Sequence, residues 1–268
     1  MSRRTNLFVL ALLSATPAGA HPEIQDALER LTTALAATPN EASLYLERGE
    51  LYARHDDWPA AEANYLRAAE LAPRLPRLAL ARGSLALARG QVSAARVLLD
   101  HAIALAPSDP TALILRARAL ARLGLTPDAL TDYTQAFALL ATPSPELYLE
   151  RAALFASPAD ALRSLADAFV RLGPVISLQL RALDLEVALR RFDDALTRVD
   201  LLTSASERRE LWLKRRGDIL VSAGRHAEAR AAYVEAQTAI AALPAWLVTS
   251  PDTVRLSIEL TRLATTTP

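Results

Sequence analysis

Residues 42–75 read ASLYLERGELYARHDDWPAAEANYLRAAELAPRL, and residues 76–109 read PRLALARGSLALARGQVSAARVLLDHAIALAPSD. Laid one above the other, the two stretches place Gly49 over Gly83, Ala61 over Ala95, Tyr65 over Leu99, Ala68 over Ala102 and Pro73 over Pro107. The step from Gly49 to Gly83 is common to all these pairs, and it extends outward. Pro39 precedes the two prolines at the same interval, and the alanine columns run Ala27, Ala61, Ala95, Ala129 and Ala34, Ala68, Ala102, Ala136. Leu31, Tyr65, Leu99 and Tyr133 form a column of large residues in the same register. The frame slips within Phe155–Ala159, where we expect one helix–helix turn to be shortened, and resumes with Ala161, Ala195 and Ala229. Self-similarity at such a period marks a chain of stacked supersecondary units.

Each unit reads as a helical hairpin. Its apolar residues recur at i, i+3, i+4 and i+7, the spacing of one face of a helix. Ala, Leu, Arg and Glu dominate, and all are strong helix formers. Gly90-Gln91, Gly124-Leu125 and Gly224-Arg225 supply the residue that ends a first helix in a left-handed conformation. The prolines stop the second helix. A hairpin that is apolar on both broad sides is stable only when stacked on others. Composition agrees: 51% of residues are hydrophobic, 5% are aromatic, and there are 8 Gly and no Cys. Few aromatics argue against a β-sandwich. Thirty basic residues face 30 acidic ones, so the chain lacks the basic excess of a nucleic-acid binder, and no nucleic-acid partner is expected.

These columns resemble the tetratricopeptide repeat family. Its alternation of large and small residues is met by Tyr45, Gly49, Tyr52, Ala61, Tyr65, Ala68 and Pro73, and again by Ala79, Gly83, Ala86, Ala95, Leu99, Ala102 and Pro107. Leu113, Ala117, Leu120, Ala129, Tyr133 and Ala136 follow it, as do Leu213, Gly217, Leu220, Ala229, Tyr233 and Ala236. The resemblance implies an all-α fold: a right-handed α-solenoid of stacked antiparallel helical hairpins, a TPR-like superhelix. Its span, 41–243, divides into about six repeats at 42–75, 76–109, 110–143, 144–174, 175–206 and 207–243. Residues 21–40 match only a second helix and read as an N-terminal capping half-repeat, and 244–268 as a C-terminal capping helix and tail.

The resemblance also implies a function. In the family, first helices line a concave groove that holds a protein or peptide partner. Carried over, the groove positions are Leu46, Glu50 and Arg54, then Arg77, Leu80, Ser84 and Leu87, then Ile114, Arg118 and Arg122, and finally Lys214 and Asp218. The ninth position of the first helices is Glu50, Ser84, Arg118, Ala153, Asp184 and Asp218. It never holds the Asn with which one subtype grips a terminal carboxylate. The seventh holds Arg48, Arg82, Arg116, Arg151 and Arg216, a column expected to lie along each hairpin and pair within it.

No G-x-S-x-G, phosphate-cradling Gly-rich loop or Cys nucleophile is present. The expectation is a scaffold, not an enzyme. Residues 1–20 read as a secretory signal peptide: Arg3 and Arg4, the apolar run Leu7–Leu13, then Ala18-Gly19-Ala20. Cleavage after Ala20 would leave a periplasmic or secreted protein with no membrane anchor. It would also expose His21, whose amine and imidazole could chelate a metal such as copper. That makes a copper-handling accessory protein the alternative reading.

Overall fold

The computed structural model describes residues 22–267. Among them the regular elements are all helices. The signal sequence and His21 lie outside the described residues. The chain divides into two compact units, residues 1–123 and 124–268.

The first unit contains α1 (Pro22–Ala37), α2 (Ala42–Arg54), α3 (Trp58–Leu71), α4 (Pro76–Ala88), α5 (Val92–Leu105) and α6 (Pro110–Arg122). The α2–α3 and α4–α5 pairs are antiparallel hairpins. Here α1 packs on α2, and α6 packs on α5. Helix starts are chemically marked. The Asp57 carboxylate accepts from the Ala60 amide at 3.2 Å, and Asp109 accepts from Thr111 at 2.8 Å. Each satisfies an amide with no partner inside its helix.

Two kinds of glycine shape the hairpins. A Cβ on Gly49 would fall 2.6 Å from Tyr65 Cε1, and one on Gly83 would fall 2.7 Å from Leu99 Cγ. The small and large columns of the sequence are therefore opposite halves of one contact, where two helix backbones approach closely. Gly90, by contrast, meets nothing within 4 Å but has φ +72°. It closes the turn through its backbone freedom. Asp56 occupies the equivalent place one repeat earlier, at φ 59°.

The second unit contains α7 (Thr126–Leu139), α8 (Pro145–Ala153), α9 (Pro158–Ser164), α10 (Ala166–Leu172), α11 (Ile176–Ala188), α12 (Phe192–Ser204), α13 (Arg209–Ser222), α14 (His226–Ala241), α15 (Ala245–Val248) and α16 (Pro251–Thr266). One core cluster gathers Leu183, Val199, Leu213, Leu220, Tyr233 and Ile240, with Leu260 of α16. Gly217 repeats the Gly49 device against Tyr233.

The frame slip has a different cause from the one expected. The turn between α8 and α9 is not shortened: residues 154–157 make it one residue longer than 55–57 or 89–91. It is α8 that is short, 9 residues against 13 in α2, α4 and α6. Pro145 and Pro158 fix the two helix starts, because a residue before proline is driven out of the helical region. Ser157 is extended and its hydroxyl caps α9 through the Asp160 amide. The second helix of this repeat is also broken in two. Arg151 Nη2 donates to the Ser164 carbonyl at 2.7 Å, occupying an acceptor at the α9–α10 break.

The arginine column does more than pair within each hairpin. Arg48 does pair inside its hairpin, with Asn64 Oδ1 at 2.8 Å, but it also donates to Thr32 on α1 at 3.3 Å. Arg116 bonds Asp100 on α5 at 2.9 Å, and Arg216 bonds Asp200 on α12. Thr32, Asp100 and Asp200 all lie on the second helix that precedes the arginine's own hairpin. Arg48, Arg116 and Arg216 therefore link neighbouring hairpins, each link worth roughly 0.2–1 kcal/mol at such exposure, while Arg151 bonds within its own hairpin, to Ser164.

Candidate partner-binding groove

In the first unit α2 packs on α4, and α4 on α6, so the first helices form one layer. Between them lies a hollow of about 560 Å³. Its apolar lining comes from Trp58, Leu80, Leu85, Leu115 and the small residues Ala53, Ala81 and Ala88. Its polar lining comes from Glu50, Arg54, Asp56, Arg77, Ser84 and Thr111, with Tyr65 beneath. A second hollow of about 450 Å³, between α1 and α2, shares Glu50, Arg54 and Arg77 and adds Arg30 and Glu47.

The charges are ordered. Arg77 grips Glu50 with two bonds, Nε to Oε1 at 2.9 Å and Nη2 to Oε2 at 2.6 Å, joining α4 to α2. The fork geometry is the strong form of a guanidinium–carboxylate contact, and the bonds to Glu50 push the Arg77 pKa up. Arg54 is exposed and makes no ion pair among the described residues. Burial, reinforced by the Glu50 carboxylate, pushes the Tyr65 hydroxyl up to about 12, with Arg54 and Arg77 acting in the opposite direction. Tyr65 thus stays neutral under the groove at physiological pH.

Five of the expected groove residues meet here: Glu50, Arg54, Arg77, Leu80 and Ser84. Leu46 and Leu87 do not. Leu46 is 2% exposed and clusters with Tyr65 and with Leu78 and Leu85 of α4; Leu87 is 6% exposed and clusters with Leu99 and Ala119. The adjoining first helix covers each of them, so neither is available to a partner. Ile114 and Arg118 are half-buried and do not line this hollow, whereas Leu115 does. Arg122 Nη1 donates to the Leu87 carbonyl at 3.1 Å, tying α6 to the end of α4. Lys214 and Asp218 lie in the second unit. Lys214 Nζ sits 3.1 Å from Asp218 and 3.2 Å from Glu259 on α16, and Tyr233 donates to Asp218 at 3.0 Å. Burial lowers the Lys214 pKa, but the two carboxylates outweigh it and the net direction is up. Lys214 thus links α13 to α16, and Asp218 links α13 to α14.

Trp58 and Leu115 line the hollow without belonging to the expected set. Trp58 opens a second helix, and a rule that counts first-helix positions passes over it. The signal for it is an aromatic directly after an Asp-Asp turn. His21, the expected copper ligand, lies outside the described residues. Among those described, no group of three or more His, Cys, Asp and Glu side chains could hold a metal.

Comparison with known proteins matches the chain twice. A tetratricopeptide repeat model covers residues 18–76 and 80–143, and a tetratricopeptide repeat-like domain model covers 155–249. The chain belongs to the tetratricopeptide repeat family. A crystal structure of a tetratricopeptide repeat protein from Parabacteroides merdae is similar over 91% of this chain and 93% of its own, at 17% identity and a TM-score of 0.55. A thermophilic TPR protein of Thermus thermophilus aligns over 60% of this chain and 90% of its own, at 20% identity and a TM-score of 0.48. At these identities the likeness concerns the fold alone. No curated protein matches the sequence significantly. The tetratricopeptide fold is one suited to protein–protein interaction, and in this TPR chain no described helix is long and apolar enough to cross a membrane.

Proposed function

We propose that this TPR protein is an exported, non-enzymatic scaffold that holds a protein or peptide partner in the groove of its first unit. The observation that carries the reading is the hollow itself: an apolar floor of Leu80, Leu115 and Trp58, bordered by an ordered Arg77–Glu50 pair and an exposed Arg54. Recognition grooves commonly combine an apolar pocket with a few placed polar groups. Export rests on the Arg-flanked apolar run and the small-residue site ending at Ala20.

Leu80→Asp puts a charge on the floor of the hollow from a half-buried position on α4. The expected result is loss of the partner recovered with the wild-type chain, at unchanged helicity by circular dichroism. Retention of the partner by a folded Leu80→Asp chain would defeat the groove assignment. Export is tested separately: fractionation and N-terminal sequencing should recover a chain that begins at His21. A mature chain that retains residues 1–20 would contradict it.

A further inference from the structure

We propose that this chain associates head to tail with copies of itself, α16 of one copy supplying the first helix that α1 of the next copy lacks. The contact uses the two ends of the chain and stands whether or not the groove holds a partner.

Among the described residues, α1 is a second helix without a first. Its Ala27, Leu31 and Ala34 continue the column of Ala61, Tyr65 and Ala68. On α3 that column is buried, with Gly49 of α2 lying directly over Tyr65. On α1 all three residues are only part-buried, and they line the hollow of about 450 Å³ together with Leu51 of α2. That hollow lies beside α1 and against α2, as α2 itself lies beside α3 and against α4. A missing first helix would lie there.

At the other end α16 is a first helix without a second. It opens with Pro251, as α4 and α6 open with Pro76 and Pro110. It packs on the second helix before it, α14, and buries Thr253 and Leu260. Counted from the proline, Val254, Ile258 and Thr261 stand where α4 has Ala79, Gly83 and Ala86. On α4 those three positions are buried. On α16 they are bare: Val254 is 43% exposed, Ile258 is 67% exposed, and Thr261 is exposed.

The two faces fit each other. Ile258 is too large for the close approach made at Gly83. Leu183 takes the same place in α11, however, and is fully buried in one cluster with Val199, the counterpart of Leu31 on α12. A branched residue on each helix is thus a hairpin contact that this fold already contains, and burying both faces drives the association. Charge sets the direction. In an antiparallel hairpin the end of the first helix meets the start of the second. The start of α1 carries Glu23, Asp26 and Glu29. Near the end of α16 stands Arg262, exposed and without an ion pair among the described residues, whereas Glu259 is held by Lys214. The two faces differ, so the contact is heterologous and repeats from copy to copy unless a ring closes.

The chain has no cysteine, so introduced thiols report the contact without background. Full chains carrying Leu31→Cys are mixed with full chains carrying Ile258→Cys and oxidised mildly. The expected result is a disulfide-linked pair from the mixture and none from either variant alone. Ala63→Cys, exposed on α3, replaces Leu31→Cys as the control and should give none. In sedimentation velocity the mass of the unsubstituted chain should rise with concentration. Ile258→Asp should return it to a single chain at an unchanged melting temperature, because Ile258 is exposed. A mixed product no stronger than the Ala63→Cys control overturns the proposal. So does an Ile258→Cys chain that links to itself as readily, which would mean a symmetric pairing. A single chain at every concentration also overturns it, whether the α1 face stays bare or is covered by residues 1–20.

Discussion

Replacing Gly49 with valine tests the packing logic on which the first unit is built. A Cβ at this position would lie 2.6 and 2.7 Å from two ring carbons of Tyr65 and 3.2 Å from the Ala61 carbonyl oxygen. Ordinary carbon–carbon contact is about 3.5–4.0 Å, so the Tyr65 ring must retreat by roughly 1 Å. Tyr65 is 2% exposed and packed among Leu46, Ala61, Ala68, Leu78 and Leu85, so its retreat disturbs a packed cluster. Overpacking a dense core costs about 1–3 kcal/mol, and valine adds two further methyl groups. Against this, valine regains only a few tenths of a kcal/mol of helix propensity over glycine. The net expectation is a loss of about 2–4 kcal/mol, or roughly 5–15 °C in melting temperature for a domain of this size. The decisive assay is a double-mutant cycle in urea. In a Tyr65→Ala background the clash partner is gone, and Gly49→Val should cost at least about 1 kcal/mol less than it does alone. Two results would refute the view that the glycine column exists to admit the large column. One is strict additivity of the two substitutions. The other is a Gly49→Val chain within about 0.5 kcal/mol of wild type, the range of a surface change that disturbs nothing.

Arg190 stands where Gly90 and Gly224 stand in their repeats, and it has φ 58°. Left-handed backbone costs a non-glycine residue about 1 kcal/mol or more, so Arg190→Gly should raise the urea midpoint, and a fall would show that its side chain contributes more than its backbone costs. Tyr65 gives a pH prediction. Its folded pKa, about 12, lies above the ordinary value of 10.0. Between those values the folded state keeps a proton that the unfolded chain has lost, so stability is intact below pH 10 and falls as pH rises toward 12. Tyr65→Phe should flatten that part of a stability–pH curve, and an unchanged slope would remove Tyr65 as its source.

Much of the fold was legible because its determinants are local and periodic. Gly49 and Tyr65 are separated in sequence by the same step as Gly83 and Leu99, and both pairs touch, so a fixed step in sequence is a fixed contact in space. The left-handed turns were legible from Gly90 and Gly224 for the same reason. What was hidden depended on neighbours. The proline that fixes the start of α9 could be seen, but the break after Ser164, whose carbonyl accepts from Arg151 on a different helix, could not. Leu46 and Leu80 occupy the same position in successive repeats. Leu46 is sealed by Leu78 and Leu85, whereas Leu80 opens onto the hollow. A positional rule cannot separate the two, because burial is decided by the adjoining hairpin. The surroundings of Lys214 were hidden in the same way: α16 supplies Glu259 to it, from far along the sequence.

The central claim is that the first unit's groove is the working surface, and site-specific photocross-linking tests it most directly. A photoreactive residue is placed at Ser84, exposed inside the groove, or at Ala63, exposed on the second helix α3. The account predicts a discrete adduct with one partner from position 84, abolished by Leu80→Asp, and none from position 63. An adduct from position 63 alone, or equal adducts from both, would contradict it.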